Sequence, residues 1–145
     1  MDLANALKAL LSDVVAFKFT AHGFHWNVEG QDFSQYHSLF ASIYEDADSS
    51  IDPIAENIRK IGSYAPFTLA RFASLRSVPD VDPGEPEPQA MATALLAMNK
   101  GVISSIKNAH AVAEEAGERG IVNFLEERWD MHMKWDWQLK ASTKS

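Results

Sequence analysis

Four long stretches of the chain repeat apolar residues at helical spacing, and this pattern limits the possible folds more than any other feature. In residues 2–27 the apolar side chains recur every three or four positions, with neither glycine nor proline before Gly23. The next stretch begins near residues 32–34 and closes at Gly62, and two more cover about 88–116 and 120–141. None of the chain alternates polar and apolar residues as a β-strand does. We therefore predict an all-α protein.

The connection between the second and third helices is long enough to cross the bundle. Residues 68–76 (TLARFASLR) predict a short helix, and the acidic, proline-rich segment PDVDPGEPEP after it predicts a loop. Such a connection is typical of a four-helix bundle with one crossover. We predict one domain over residues 1–145.

Two features of the helices predict further detail. Pro53 lies inside the second helix, so we expect a kink near Ser49 and Ser50, or a helix that restarts with Asp52 as its cap. On the last helix, three large side chains at helical spacing are predicted to lie in the core. They are Trp129, Met133 and Trp137.

Composition excludes several classes of protein. The 145 residues contain no cysteine, so disulfides and thiolate chemistry are absent and any metal must be held by His, Asp and Glu. No apolar run reaches the length of a membrane span, and residues after Met1 do not predict an export signal. A net charge of −7 favours cations over nucleic acid or anionic lipid as partners. We predict a cytoplasmic protein.

Four side chains are candidate metal ligands: His25 at the end of the first helix, and His37, Asp52 and Glu56 on the second. On a helical wheel Asp52 lies roughly 60° and Glu56 roughly 100° from His37, so these three share one stripe. However, His37 and Asp52 are roughly 22 Å apart along the axis, too far for one metal ion. The alternative is that the histidines are hydrogen-bonded bystanders and the acids form a solvated face.

Two copies of the second helix could build the site that one cannot. An antiparallel two-fold contact that sets His37 against the partner's Glu56 also sets residue 41 against the partner's Asp52. Each of two equivalent sites would take both histidines from one chain and both acids from the other. This mixed nitrogen and oxygen set suits iron, and zinc or manganese as substitutes.

The stretch HGFHWNVEGQDF, followed by His37, Phe40, Tyr44 and DPIAENIRKIG, closely resembles the Dps family of mini-ferritins. TLARFASLR and MHMKWDWQLKAS resemble its connecting and last helices more weakly. The resemblance implies a ferritin-like bundle that assembles as a homo-oligomer, a dodecamer built from two-fold dimers. It also implies dimer-interface sites that oxidise Fe(II) with peroxide or oxygen, storage of the ferric product and protection against oxidative damage.

By the same resemblance, His25, Asp52 and Glu56 match the ligands of the better-occupied iron position, and His37 matches a ligand of the second. Trp26 matches the tryptophan beside the centre, where it has a redox role or fills the bundle near the helix end.

The sequence departs from the family pattern four residues after His37, where an aspartate is expected and Ala41 stands. Asp48, about 20° from His37 on the helical wheel, is the nearest candidate substitute. Under the two-fold pairing, however, Asp48 faces the partner's Glu45, so a solvated acid is the alternative.

In the family, acidic residues near the start of the last helix line the three-fold pores that admit iron. The matching residues here are Glu118, Asn123 and Glu127, with ordinary surface charge as the alternative for each. A basic tail is missing, since the C-terminus offers only Lys140 and Lys144, so we expect DNA binding to be weak or absent. The alternative function is a structural or nucleoid-associated shell with weakened ferroxidase activity, as Ala41 hints.

Overall fold

Residues 1–144, which the computed structural model describes, form five α-helices and no strand. The helices are α1 (Leu3–Asn27), α2 (Phe33–Lys60), α3 (Leu69–Leu75), α4 (Pro88–Glu115) and α5 (Arg119–Ser142). This confirms the predicted all-α fold, in which a short helix interrupts the connection between the second and third long helices. Within the described residues, no helix combines the length and apolar character that a membrane span requires.

The four long helices form two hairpins that enclose one apolar core. α1 packs along α2 in the first hairpin and α4 along α5 in the second, while α1 also packs against α4. Contact between α2 and α5 is much sparser. The largest fully buried side chains come from all four long helices and include Phe17, Phe40, Leu95 and Leu125.

Local hydrogen bonds define the helix ends near the positions that the sequence predicts. The Asp2 carboxylate accepts a bond from the Asn5 N–H (2.8 Å) and caps α1. After α4, Gly117 has a φ of 74°, the left-handed conformation that glycine adopts most easily. The Gly117 N–H then reaches the Glu114 carbonyl (3.1 Å), and the Glu118 N–H reaches Ala113 (3.1 Å). These bonds end α4 in a tight turn, and α5 begins at Arg119.

The second helix passes through Pro53 without a break. Its α-helical span runs from Phe33 to Lys60, so the predicted restart with Asp52 as a cap is wrong. Proline cannot donate a backbone hydrogen bond to the preceding turn. In that turn, the Ser49 hydroxyl donates to the Asp46 carbonyl (2.6 Å) and the Ser50 hydroxyl to the Ala47 carbonyl (2.7 Å). The apolar contacts of the helix on both sides of Pro53 keep it continuous.

The predicted burial of the aromatic stripe on α5 is wrong for two of its three residues. Met133 is 47% exposed and Trp137 is 65% exposed, whereas Trp129 packs partly against the core. The core-facing stripe is rotated by one position and contains Leu125, Trp135 and other residues. Trp135 is therefore the buried tryptophan of α5.

A buried carboxylate holds the crossover connection against α1. Asp13 is fully buried and accepts three hydrogen bonds: from the Ser77 N–H (2.7 Å), the Ser77 hydroxyl (2.7 Å) and the Val78 N–H (2.9 Å). Val78 is itself buried, and a Cβ added to Gly101 would lie only 2.9 Å from its Cγ2 atom. The middle of the crossover is thus fixed between α1 and α4.

We expect Asp13→Ala to destabilise the protein by about 3 kcal/mol, because three donors around the buried site lose their acceptor. Asp13→Asn keeps one acceptor oxygen for the two N–H groups and should cost less than half as much. Chemical denaturation of the protein at one concentration would measure both. Equal losses for the two variants would contradict this role of the carboxylate.

Candidate metal centre

His25 and His37 form a reciprocal pair at the turn between α1 and α2. Nδ1 of His25 lies 2.7 Å from the His37 carbonyl oxygen, and Nδ1 of His37 lies 2.7 Å from the His25 carbonyl oxygen. The two rings stack with centroids 3.7 Å apart and an interplanar angle of 15°. The short turn between the helices, with Gly30 at a φ of 103°, brings the two residues together.

These hydrogen bonds determine which ring nitrogens can bind a metal. A carbonyl oxygen only accepts, so each Nδ1 must carry the proton and donate. In the neutral ring, each Nε2 then keeps its lone pair, and neither Nε2 has a hydrogen-bond partner within residues 1–144. Donation from Nδ1 to a carbonyl is the usual way in which proteins orient histidine ligands. Both residues therefore fit a metal site before any metal binds.

Aromatic rings surround the pair. Phe33 stacks on His37 (4.9 Å between centroids), and His22, one turn before His25, stacks on Tyr44 (3.9 Å). Burial, followed by the charge of Lys18, holds the pKa of His22 below its usual range. This ring is therefore neutral near pH 7.

Trp26 lies beside His22, with ring centroids 4.4 Å apart, but 66% of it is exposed. It does not fill the interior of the bundle, so that part of the expectation is wrong for the single protomer. Its redox role stays a prediction.

The two candidate acids are not brought to the histidines within one chain. Asp52 and Glu56 are exposed on the later turns of α2, whereas His37 lies in its second turn. Among residues 1–144, no three histidine or acidic side chains come close enough to hold one metal ion. The shared site between two protomers remains a prediction, and these exposed acids are the groups available for it.

A second polar cluster, buried inside the bundle, escaped prediction from the sequence. Arg128 donates two hydrogen bonds to the Asp46 carboxylate (2.9 and 2.8 Å), and the Trp135 indole N–H donates a third (2.8 Å). His132 is fully buried; its Nδ1 donates to the Asn99 side-chain oxygen (2.7 Å) and its Nε2 lies 3.3 Å from Arg128. The signal that could have revealed it is His132 itself, spaced seven residues from Leu125 and Leu139 on the apolar stripe.

Ionisation of this buried cluster follows from its partners. Burial acts to raise the pKa of Asp46, but the hydrogen bonds from Arg128 and Trp135 outweigh it, and the pKa lies below its ordinary value. For His132, burial and then the charge of Arg128 lower the pKa to about 3. The carboxylate is therefore charged and the imidazole neutral at physiological pH.

Comparison with known proteins identifies the family. The family model described as Ferritin-like domain matches residues 4–144. The DNA protection during starvation protein of Helicobacter pylori is 27% identical over 141 residues, which cover 97% of this chain and 98% of that protein. The crystal structure of a Dps protein from Bacillus brevis superposes with a TM-score of 0.92 and 27% identity, covering 98% of this chain and 95% of that one. The chain belongs to the Dps family of ferritin-like proteins.

A second solved structure agrees in fold. The Dps protein from Vibrio cholerae, described as a member of a broad superfamily of ferritin-like diiron-carboxylate proteins, superposes with a TM-score of 0.91. The superposition covers 98% of this chain and 89% of the Vibrio cholerae chain. At 24% identity, this similarity shows the fold alone.

Ala41, the departure from the Dps pattern, is half-buried one turn after His37. The candidate substitute Asp48 is 62% exposed and lies 3.8 Å from the Lys18 ammonium. This carboxylate thus pairs with a lysine on α1, which favours the solvated alternative over metal binding.

The residues that match the Dps pore lie at the start of α5. Glu118 is the N-cap residue, and Asn123 and Glu127 are exposed on the helix. Glu118 also lines one surface cleft with Glu56 and Lys60. Since a three-fold pore needs three chains, its lining remains a prediction.

The buried histidine predicts how stability depends on pH. An unfolded histidine has its ordinary pKa of 6.5, whereas that of folded His132 is about 3. Below pH 6.5 the unfolded chain binds a proton at this histidine, whereas the folded chain does not. The free energy of unfolding therefore decreases as the pH falls from 6.5 toward 3. His132→Gln cannot titrate, and its stability should fall less steeply over this interval.

Denaturation midpoints of the metal-free protein at a series of pH values would test this, with His110→Gln as a control outside the cluster. Parallel pH profiles for the parent and His132→Gln would contradict the assignment.

Proposed function

We propose that this protein is a shell-forming mini-ferritin that takes up Fe(II), oxidises it with peroxide or oxygen and stores the ferric product, thereby limiting oxidative damage. The observation that carries the proposal is the crossed pair of hydrogen bonds between His25 and His37, which leaves two oriented Nε2 atoms free. Membership of the ferritin-like family supports iron storage. The diiron-carboxylate description of the Vibrio cholerae relative supports iron as the substrate metal.

The ligands of each centre come from two protomers. His25 of one chain and the partner's Asp52 and Glu56 hold the stronger iron position, and His37 holds a weaker one because Ala41 supplies no carboxylate. Carboxylates are hard donors that accept both Fe(II) and Fe(III), and imidazoles discriminate against magnesium and calcium. Zinc or manganese can occupy the same donors as substitutes, but iron is the proposed substrate.

Electron balance explains why two iron positions matter. Peroxide accepts two electrons on reduction to two water molecules, and each Fe(II) supplies one when it becomes Fe(III). Two irons bound side by side therefore complete the reduction without releasing a radical. A weakened second position would make paired oxidation slower.

Assembly completes the proposal. The acidic face of α2 pairs across a two-fold axis, and six such dimers form a dodecamer in which Glu118, Asn123 and Glu127 line the pores for iron. Trp26, exposed beside His22, is a candidate redox neighbour. The net charge of −7 per chain opposes retention on DNA, so binding to nucleic acid is weak or absent. We place the protein in the cytoplasm.

Anaerobic loading with Fe(II) followed by peroxide tests this function. The parent should develop ferric absorbance faster than buffer alone and keep the iron soluble, whereas a variant with both Asp52→Asn and Glu56→Gln should not. Precipitation at the buffer rate by the parent would instead support a structural or nucleoid-associated shell.

The shared site can be tested by mixing subunits in the same assay. One variant carries His25→Phe and His37→Phe, and the other carries Asp52→Asn and Glu56→Gln. An oligomer made of either variant alone therefore has no complete centre. Random pairing in an equal mixture should restore about one quarter of the centres, since half of the dimers are mixed and each has one intact site. Subunits must be unfolded and reassembled together, and simple mixing of intact oligomers is the control. No recovery after reassembly would contradict a site shared between chains.

Ala41→Asp should strengthen the second iron position, because it adds a carboxylate one turn from His37. It also adds an anion near the partner's acids, so the metal-free protein should become less stable. We therefore expect a lower melting temperature without metal, a larger stabilisation by Fe(II) under anaerobic conditions and faster oxidation. Ala41→Asn, similar in size but uncharged, is the matched control. If Ala41→Asp leaves both the stoichiometry and the rate unchanged, position 41 does not limit the centre.

A further inference from the structure

Large apolar side chains are exposed where the crossover leaves α2. Tyr64 is 78% exposed, Phe67 is 87% exposed and Leu69 is 71% exposed. The first two line a cleft of about 280 Å³ together with Lys8 of α1 and Arg71 of α3. Exposed apolar groups gathered in one place, with polar groups around them, mark a surface that another molecule covers. This crossover cleft is therefore a candidate binding surface.

The crossover cleft is cationic although the chain as a whole carries a net charge of −7. Neither Lys8 nor Arg71 forms an ion pair with any acid of residues 1–144. The guanidinium of Arg59 lies 4.3 Å from the centroid of the Tyr64 ring and adds a third positive charge beside the cleft. A partner surface that carries carboxylates would complement these charges.

The turn between α4 and α5 has the complementary character. Residues 114–120, which form this acidic turn, are all exposed. Glu115 has no ion pair among the described residues, and Glu114 has only a long one with His110 (3.9 Å). Gly117 in its left-handed conformation closes the turn tightly. A turn that is already ordered loses little conformational freedom when it docks.

Both surfaces lie at the same end of the bundle. The Asn108 side chain lies 3.7 Å from the Met1 sulfur, which places the start of α1 beside the last turns of α4. Lys60 at the end of α2 and Glu118 at the start of α5 line one cleft. The two surfaces form no ion pair with each other within one chain. They are therefore available to a neighbouring copy.

We propose that the acidic turn of one chain docks in the crossover cleft of a neighbouring copy. Such a contact joins two different surfaces, and it closes a ring when the rotation between copies permits. The proposal rests on the shell proposed above, and it assigns the contact between subunits around the pores where Glu118 is expected. Nucleic acid is the other anionic candidate, but the net charge of −7 per chain opposes it.

Reversal of charge on each side tests the contact. One variant carries Lys8→Glu and Arg71→Glu, and a second carries Glu114→Lys and Glu115→Lys. Either change sets like charges against each other, so the mass of the oligomer should fall to that of the dimer joined through α2. The first variant makes the net charge more negative and the second makes it less negative, so loss of assembly in both cannot come from net charge alone. Sedimentation at physiological salt measures the mass, and circular dichroism verifies that the helices are intact.

A third variant combines all four substitutions and thereby restores opposite charges across the contact at the parent's net charge. We expect it to regain the mass of the parent. An unchanged mass in a reversal variant, or no recovery in the combined variant, would overturn the inference.

If a reversal variant loses its helices, Lys8→Gln with Arg71→Gln replaces it and should assemble only at a higher protein concentration than the parent; assembly at the parent's concentration would contradict the contact. A parent that passes these tests but does not oxidise iron keeps the contact and loses only the proposed function. A parent that stays monomeric loses both the shell and this contact.

Discussion

The ion pair between Asp46 and Arg128 fixes how the two helical hairpins meet. α1 and α4 join the hairpins along one side by close packing, but α2 and α5 contact each other sparsely, and this pair spans the gap. Both side chains are largely shielded from water, so removing one partner leaves the other charge without compensation and destabilises the contact between the hairpins. Together with the Tyr36 hydroxyl, which donates to the Ser142 carbonyl (2.7 Å), the pair fixes the position of α2 along α5. The functional groups on α2, from His37 to Glu56, therefore lie on a helix that packs along α1 and is joined to α5 by these bonds.

Within each protomer the two histidines of the candidate centre are already oriented, whereas its two acids lie apart from them. The imidazoles of His25 and His37 are oriented by each other's backbone, so they lose little freedom when metal binds. Asp52 and Glu56 remain in water on the outer face of α2, where their charges cost nothing until a second chain or a cation approaches. Metal binding and association of two chains would therefore strengthen each other.

The sequence was sufficient for the features that local chemistry controls. Helical periodicity and helix-ending residues such as Gly62 predict the bundle and its crossover, because they act within one or two turns. The continuous helix through Pro53 and the exposure of Trp137 depend on which side of a helix meets the core, and the apolar pattern left that open. The bond between Asp46 and Arg128 joins residues 82 positions apart, so no local pattern signals it. The proposed metal centre would require a second chain, which a single sequence indicates only through symmetry or resemblance.

The burial of Asp13 has a consequence for the order of folding. Its bonds to Ser77 close a loop over 64 residues, whereas both hairpins form through short turns. Loop closure costs entropy that grows with length, so the hairpins can form first and the crossover docks late. Until it docks, the carboxylate stays hydrated and the α1 surface beneath α3 is open to water. The amide hydrogen of Ser77 should therefore exchange with solvent whenever the crossover separates from α1. Its exchange rate would report local opening between the crossover and α1 in the folded protein.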